Sequence, residues 1–484
     1  MKFKTLALAA AFALLCPAVF AQKDLVPSIT WENICANPAP LPVIGQLKLE
    51  KSSLDRPSWW SVGCETMDRD YAHFEKYSQY VGLTGAGYAR LQSGWAKTEK
   101  KKGKYDFAWL DAHVDGLLEQ GLHPWMCLCY GNPLYSEHGL DLNAKLFPDG
   151  PVMDAWLKYV KAVVKHYKGK ITMYEVWNEP DNRRALDSYE LYANLFVRTA
   201  QAIREVDKDV KIALLGSCSP DREYIMQAVE RIAAVDGMKY ADYLTYHAYW
   251  AVPENTVPYV LELKEKLAAY SPHTKLLQGE TGCPAILEFG HALHSLEWSE
   301  YSQAKWDLRS MLTHWGMGCP HSVFTMTDLN YGWMVQSFGL IRTNLKGEPV
   351  YLRPKFHAVQ HVTSLITADI NPTSAVTVSS CCGHRIHSVG LEKDGKPIGC
   401  ALWFSERRPM SGLERELCAV EIKGLDIKND KAVYVDLLTG KVHKFHESSR
   451  PRGFFQGNTL YFDKLPMWDS PVVIMDRDYV PMSE

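Results

Sequence analysis

The sequence has little net charge: a formal −3 over 484 residues, and −5 once Lys2 and Lys4 in the first 21 residues are set aside. That is not the basic footprint of a nucleic-acid binder. The run KKKGK at 100–104 is short enough to be a solvated loop. After residue 21 no stretch reaches the ~18 consecutive apolar residues that a membrane-spanning helix needs. No Gly-rich phosphate turn follows the first strand candidate, which argues against a dinucleotide-binding sheet. Cysteines spaced for zinc are also missing. Cys127-Leu-Cys129 is too close for a metal pair, and no second pair completes a site. There is no internal repeat and no low-complexity linker.

The first 21 residues, MKFKTLALAAAFALLCPAVFA, read as a secretory signal peptide: two lysines, a short apolar stretch, then Val19 and Ala21 before Gln22. Cys16 follows Leu15, where lipidation would want a small residue, so export without an anchor is expected. The destination would be periplasm, cell surface or medium. Eleven cysteines remain, an odd number that cannot all pair within the chain. Cys127, Cys129 and Cys218 lie in apolar runs, as small hydrophobes do. Cys381, Cys382, Cys400 and Cys418 could hold one or two disulfides.

What the chain does have is aromatics, 12% of residues with 15 Trp and 25 Tyr, in an otherwise ordinary globular composition. Flat apolar rings suit a sugar-binding site and a large core alike. From about residue 57 to 366, short apolar runs alternate with amphipathic helical patterns. Eight strand candidates appear: WWSVGCE (59–65), GYARLQ (87–92), PWMCLCY (124–130), ITMYEVWNE (171–179), KIALLGS (211–217), DYLTYHAY (242–249), KLLQGE (275–280) and SVFTMTD (322–328). Helices are expected over 153–167, 189–206 and 353–366, with Asp68 and Asp187 as N-caps of the first and fourth helices. Eight such units make a (β/α)8 TIM barrel. After residue 367 the pattern changes to short β-branched runs with hairpin signals at 394–395, 439–440 and 457–458, a β-sandwich. The expected division is a signal at 1–21, strands at 22–56 that pair with the sandwich or cap the barrel floor, a catalytic barrel at 57–366, and a sandwich at 367–484.

In such a barrel, residues just past the C-terminal strand ends face the active site. Strand four ends in Asn178-Glu179-Pro180, strand six in His247-Ala248-Tyr249-Trp250, and strand seven in Gly279-Glu280-Thr281-Gly282. Arg90 interrupts strand two. Glu179 and Glu280 should therefore project into one mouth from opposite sides. Glycoside hydrolysis needs such a pair, one carboxyl to protonate the leaving oxygen and one to attack the anomeric carbon or activate water. Arg90 is a candidate to hold one carboxylate ionised, and the apolar surroundings of Trp177 to keep the other protonated. Trp250 and Trp333 are candidates for stacking on sugar rings, while Asp328 and Glu65 lie near barrel ends. Cys283 has nothing beside it to activate a thiolate and reads as wall.

VWNEP on strand four, H-x-Y on strand six and Glu280 on strand seven resemble the clan of retaining (β/α)8 glycosidases. Within it the match is closest to the β-xylosidase and α-L-iduronidase family. VFTMTD (323–328), FGLIRTNLKGEPVYLRPKFHA (338–358) and ARLQSGWAKTEKKKGKYDF (89–107) are similar to that family's segments. The resemblance implies Glu179 as acid/base and Glu280 as nucleophile, with retention of configuration. It implies that Asn178 bonds the hydroxyl next to the anomeric carbon, that Arg90 and Tyr249 contact the nucleophile, and that His247 supports the acid/base. It also implies exo action, on oligosaccharides or polysaccharide side chains. An endo-acting relative of the cellulase or mannanase type, or a barrel that binds sugar without turnover, is the alternative. Neither metal nor organic cofactor is expected, since carboxyl groups carry both roles. The chain departs from the family at strand three, where Cys127, Cys129, Tyr130 and Asn132 stand in place of a frequent His, with Tyr130 and Asn132 expected to contact substrate. It departs again at Phe324, where Trp is usual, and at Gly279-Glu280-Thr281-Gly282, which looks more cellulase-like.

Overall fold

The structure is a computed structural model, and it describes residues 25–28, 39–137, 139, 146–182, 188–425, 427–428, 430–445, 452–453 and 458–483. The leader with Cys16, most of SITWENI (28–34), Asp187 and Gly457 lie outside the described residues.

Eight parallel strands close into a barrel: β1 (Trp60–Gly63), β2 (Tyr88–Gln92), β3 (His123–Leu128), β4 (Met173–Val176), β5 (Lys211–Ser217), β6 (Tyr243–His247), β7 (Lys275–Thr281) and β8 (His321–Val323). Closure runs through Trp60 opposite His321 and Val62 opposite Val323. The (β/α)8 expectation is borne out, with β8 shorter than its apolar run suggested. Thr325, Thr327 and Asp328 leave the ladder to bond the loops around Gly63 and Gly339.

The helices follow from their spacing. In the helix Tyr189–Val206, Tyr192, Leu195, Phe196, Thr199, Ala200 and Ile203 are buried, one stripe at intervals of three and four. In Pro151–His166, proline begins the first turn, Asp154 sits there too, and Lys165 and His166 close the last, each matching the helix dipole. The expected cap at Asp68 does not form. The first long helix is Phe74–Val81 with His73 before it, and Asp68 belongs to a preceding 3-10 turn, where it pairs with Arg69. Among the described residues no helix is long and apolar enough to cross a membrane.

The C-terminal region forms two antiparallel sheets. One has eight strands in the order Ile370–Thr373, Ile386–Lys393, Lys396–Phe404, Val472–Asp476, Ala432–Asp436, Lys441–Lys444, Val43–Leu47 and Met482–Ser483. The other orders Thr377–Ser380, Glu416–Lys423, Thr459–Met467 and Arg452–Gly453. The N-terminal strand Val43–Leu47 thus belongs to this sandwich, paired with Lys441–Lys444. Asp394 and Gly395, at φ 52° and 73°, turn the hairpin between Lys393 and Lys396. The ten cysteines of the described residues are all free thiols, Cys381, Cys382, Cys400 and Cys418 included.

Barrel and sandwich share one apolar core and several buried polar ties. Lys305, on the barrel helix Glu300–Gly316, reaches Asp469 at 2.5 Å and the Met410 carbonyl at 3.0 Å. Trp403 donates its indole N–H to Glu254, which Arg309 also grips with two bonds.

Candidate active site

The C-terminal mouth of the barrel holds a cavity of about 550 Å³ walled by Glu65, Gln92, Tyr130, Trp250, Phe324 and Tyr331, among others. Asn178, Glu179, Tyr249 and Glu280 all face it.

The turn after β4 aims Glu179. Trp177 and Glu179 adopt φ of 73° and 50°, a region that large residues seldom occupy without a compensating fit. Here the fit is visible. The Trp177 amide donates to the Leu128 carbonyl and the Glu179 amide to Gly216, so the backbone stays bonded to both neighbouring strands while it twists. The Trp177 ring is buried edge-on against Phe147, Trp156 and Tyr130. The Glu179 side chain is left facing the cavity, accepting from Asn182 Nδ2 at 3.1 Å and lying 2.8 Å from His247 Nδ1.

Glu280 ends β7 on the other side of the mouth. Tyr249 donates its hydroxyl to Glu280 Oε1 and Arg90 donates Nη1 to Oε2, both at 2.6 Å. Arg90 is fully buried, and its five N–H groups are all committed. Nε and Nη2 hold Glu175 at 3.0 and 2.5 Å, Nη2 also donates to Asn178 Oδ1 at 2.8 Å, and Nη1 reaches Glu65 at 3.4 Å. Asn178 in turn donates to the Tyr130 hydroxyl at 2.9 Å, which fixes its amide. Oxygens of Glu179 and Glu280 and a nitrogen of His247 lie within 4.8 Å of one another. Among the described residues this is the one cluster whose donor atoms are close enough to share a metal ion. Its oxygens are already engaged by Arg90, Tyr249, Asn182 and His247.

The electrostatics differ from the expectation in one respect. Trp177 does not keep Glu179 protonated. Burial pushes the Glu179 carboxyl up, but the hydrogen bond and charge of His247 outweigh it and hold the carboxyl below the usual range. His247 moves the other way: burial pulls it down, and Glu280 and Glu179 together lift it above an ordinary histidine. The two shifts are opposite in sign and favour the charged form of each partner across the 2.8 Å contact.

Residues 89–274 match the family described as Glycosyl hydrolases family 39. The chain is a glycoside hydrolase. No curated protein matches it. Among solved structures, a family 39 glycoside hydrolase from the gut symbiont Bacteroides cellulosilyticus WH2 is similar at 17% identity, TM-score 0.65, over 88% of this chain and 82% of that one. A GH39 enzyme from Xanthomonas axonopodis pv. citri is similar at 16% identity and TM-score 0.56, over 90% and 97%. A monomeric β-xylosidase from Caulobacter crescentus CB15 is similar at 14% identity and TM-score 0.53, over 90% and 97%.

In this glycoside hydrolase not every residue singled out in the sequence reaches the pocket. Asn132 is buried away from it, and its amide is spent on the carbonyls of Trp95 and Glu99 and the Leu134 amide. Trp333 is 71% exposed at the rim, stacked on His291 at 5.4 Å, and is not part of the cavity wall. Asp328 is locked to Arg353 by two bonds. Cys283 packs with Trp298 and Trp306, and burial raises its thiol well above the usual range. Two contributors carried less signal. Glu175, a charge inside an apolar strand as Arg90 is, anchors that arginine together with Thr245. Tyr331 enters from the loop after β8, which has no periodicity to read.

Proposed function

We propose that this chain is an exported, retaining glycoside hydrolase that removes a terminal sugar by double displacement. Glu280 is the nucleophile, aimed by Arg90 and Tyr249. Glu179 protonates the leaving oxygen and then, as base, activates the water that frees the sugar. His247 lends and recovers that proton through its 2.8 Å contact. Asn178, fixed between Arg90 and Tyr130, bonds the hydroxyl beside the anomeric carbon.

The observation that carries the reading is the 4.8 Å limit on the spacing of the Glu179 and Glu280 oxygens. Retaining enzymes hold their carboxyls about 5–5.5 Å apart, whereas inverting ones leave about 6.5–9.5 Å for a water. Two of the similar structures are β-xylosidases from Caulobacter crescentus, which makes β-xylosides the first substrates to try. The apolar leader supports export.

The test is hydrolysis of a panel of aryl glycosides by the wild type and by Glu179→Ala, with and without azide. Turnover of one glycoside, loss of several orders of magnitude in the variant, and rescue as a glycosyl azide of retained configuration are expected. A product of inverted configuration would refute the mechanism. An endo-acting reading draws on the exposed Phe289 (84%) and Trp333 (71%) beside the mouth, an aromatic rim suited to a longer glycan. Internal cleavage of a polysaccharide would favour it.

A further inference from the structure

Double displacement leaves one buried carboxyl of the pocket wall without a task. Glu65 follows β1 and folds back over Gly63, where an added Cβ would stand 2.2 Å from its Oε2, so the absent side chain at 63 makes the space for the carboxyl. The residue is only 2% exposed, yet it lines the cavity. Its two partners both stand at 3.4 Å, Arg90 Nη1 on Oε1 and Thr325 Oγ1 on Oε2. Each donor has a shorter bond elsewhere, Nη1 to Glu280 at 2.6 Å and Oγ1 to the Gly63 carbonyl at 2.8 Å. Glu65 is thus a buried carboxyl, open to the pocket, with no short hydrogen bond from another side chain. A buried polar group left in that state costs about 1–3 kcal/mol, which a ligand can recover.

We propose that Glu65 is a recognition residue for the glycone, its carboxyl bonding two adjacent hydroxyls of an uncharged sugar ring seated on Glu280. The inference rests on the retaining reading above. Barrel order places Glu65 nearer Glu280 than Glu179: β1 lies two strands from β7, which carries Glu280, and three from β4, which carries Glu179. Glu65 and Glu280 share Arg90 Nη1, so a ring over Glu280 has its far hydroxyls near Glu65.

Burial, and the charge of Glu280, push the Glu65 carboxyl up to about 8 against the pull of Arg90. Below that pH it is a neutral acid with one O–H to give and one C=O to accept, the complement of two neighbouring hydroxyls. A uronate ring is disfavoured. It would bring an anion beside Glu280, and the one buried guanidinium there has no N–H left to offer.

The test uses the full chain, the aryl glycoside cleaved best by the wild type, its monodeoxy analogues, and the matching aryl uronide. In Glu65→Ala, kcat/KM on the parent glycoside is expected to fall about 10²–10³-fold, as when a site built to bond a hydroxyl loses its partner. The penalty for removing one or two ring hydroxyls, large in the wild type, should shrink in the variant, because the two changes delete the same bonds. A residue that merely propped Arg90 would leave those penalties unchanged. Glu65→Gln keeps a donor and an acceptor. It should retain activity within about tenfold and lose the part of the expected alkaline fall that comes from Glu65 ionising near pH 8, leaving the part set by Glu179 and His247.

Glu65→Ala within threefold of wild type, or unchanged deoxy penalties, overturns the proposal while wild-type turnover with retention leaves the mechanism standing. Efficient cleavage of the uronide by the wild type also overturns it. A wild type that turns over no glycoside and takes no mechanism-based label on Glu280 overturns both.

Discussion

Replacing Arg90 with Met should destabilise the barrel by an amount that depends on pH, and the structure says how much. The substitution keeps the volume and deletes a cation that three carboxyls share. Glu65 adds little, because below about pH 8 it is already neutral. Glu280 keeps Tyr249, and its side chain is 12% exposed, so water reaches it. Glu175 is the expensive one: its side chain is 0% exposed, and without Arg90 it keeps only Thr245. Stranding a buried charge costs about 3–5 kcal/mol, unless the group takes a proton instead.

Protonation sets the ceiling. Holding a glutamate neutral costs about 1.4 kcal/mol per pH unit above its ordinary value near 4.3. That is about 1 kcal/mol at pH 5 and nearly 4 kcal/mol at pH 7. The variant's folded state then carries a proton that its unfolded state has lost, so its stability falls as pH rises. At about 2–4 °C per kcal/mol, the melting temperature should drop by roughly 8–16 °C at pH 7 and by only a few degrees at pH 5. Differential scanning calorimetry of variant and wild type at both pH values is the assay, with Arg90→Met/Glu175→Gln expected to recover most of the loss. A shift under about 2 °C at pH 7, or an equal shift at the two pH values, would refute the reasoning.

Two further substitutions separate chemistry from scaffold. Tyr249→Phe removes the 2.6 Å donor to Glu280 and should lower kcat about 10²-fold with an unchanged melting temperature, read from steady-state kinetics. Lys305→Met strands Asp469 and two carbonyls at the contact between barrel and sandwich. It should destabilise by about 3–5 kcal/mol in a denaturant titration while the specific activity of the folded enzyme stays at the wild-type level.

Much of this protein was legible one segment at a time. Period-two and period-3.6 patterns are local properties, so the eight strands, the helix stripe from Tyr192 to Ile203 and the hairpin at Asp394-Gly395 could all be read before any contact was known. The positions of Glu179 and Glu280 followed because a barrel sends the ends of all its strands to one face. Asn132 and Trp333 misled because a polar or aromatic residue in a loop carries no sign of its direction. One turned inward to the backbone and the other out to the rim.

What the tertiary structure alone decided is how charges divide the work. Arg90 could be picked out as odd within an apolar strand, but its sharing among Glu175, Glu280 and Glu65 depends on three strands far apart in sequence. An apolar wall was expected to keep Glu179 protonated, whereas His247, 68 residues away, lies 2.8 Å from it and holds its carboxyl below the usual range. Glu65 could be placed near a barrel end, but its buried, weakly bonded position on the pocket wall above the bare Gly63 came only from the fold. Propensity and pattern act between neighbours along the chain, whereas desolvation and Coulomb terms depend on distance in space, which only the closed barrel sets.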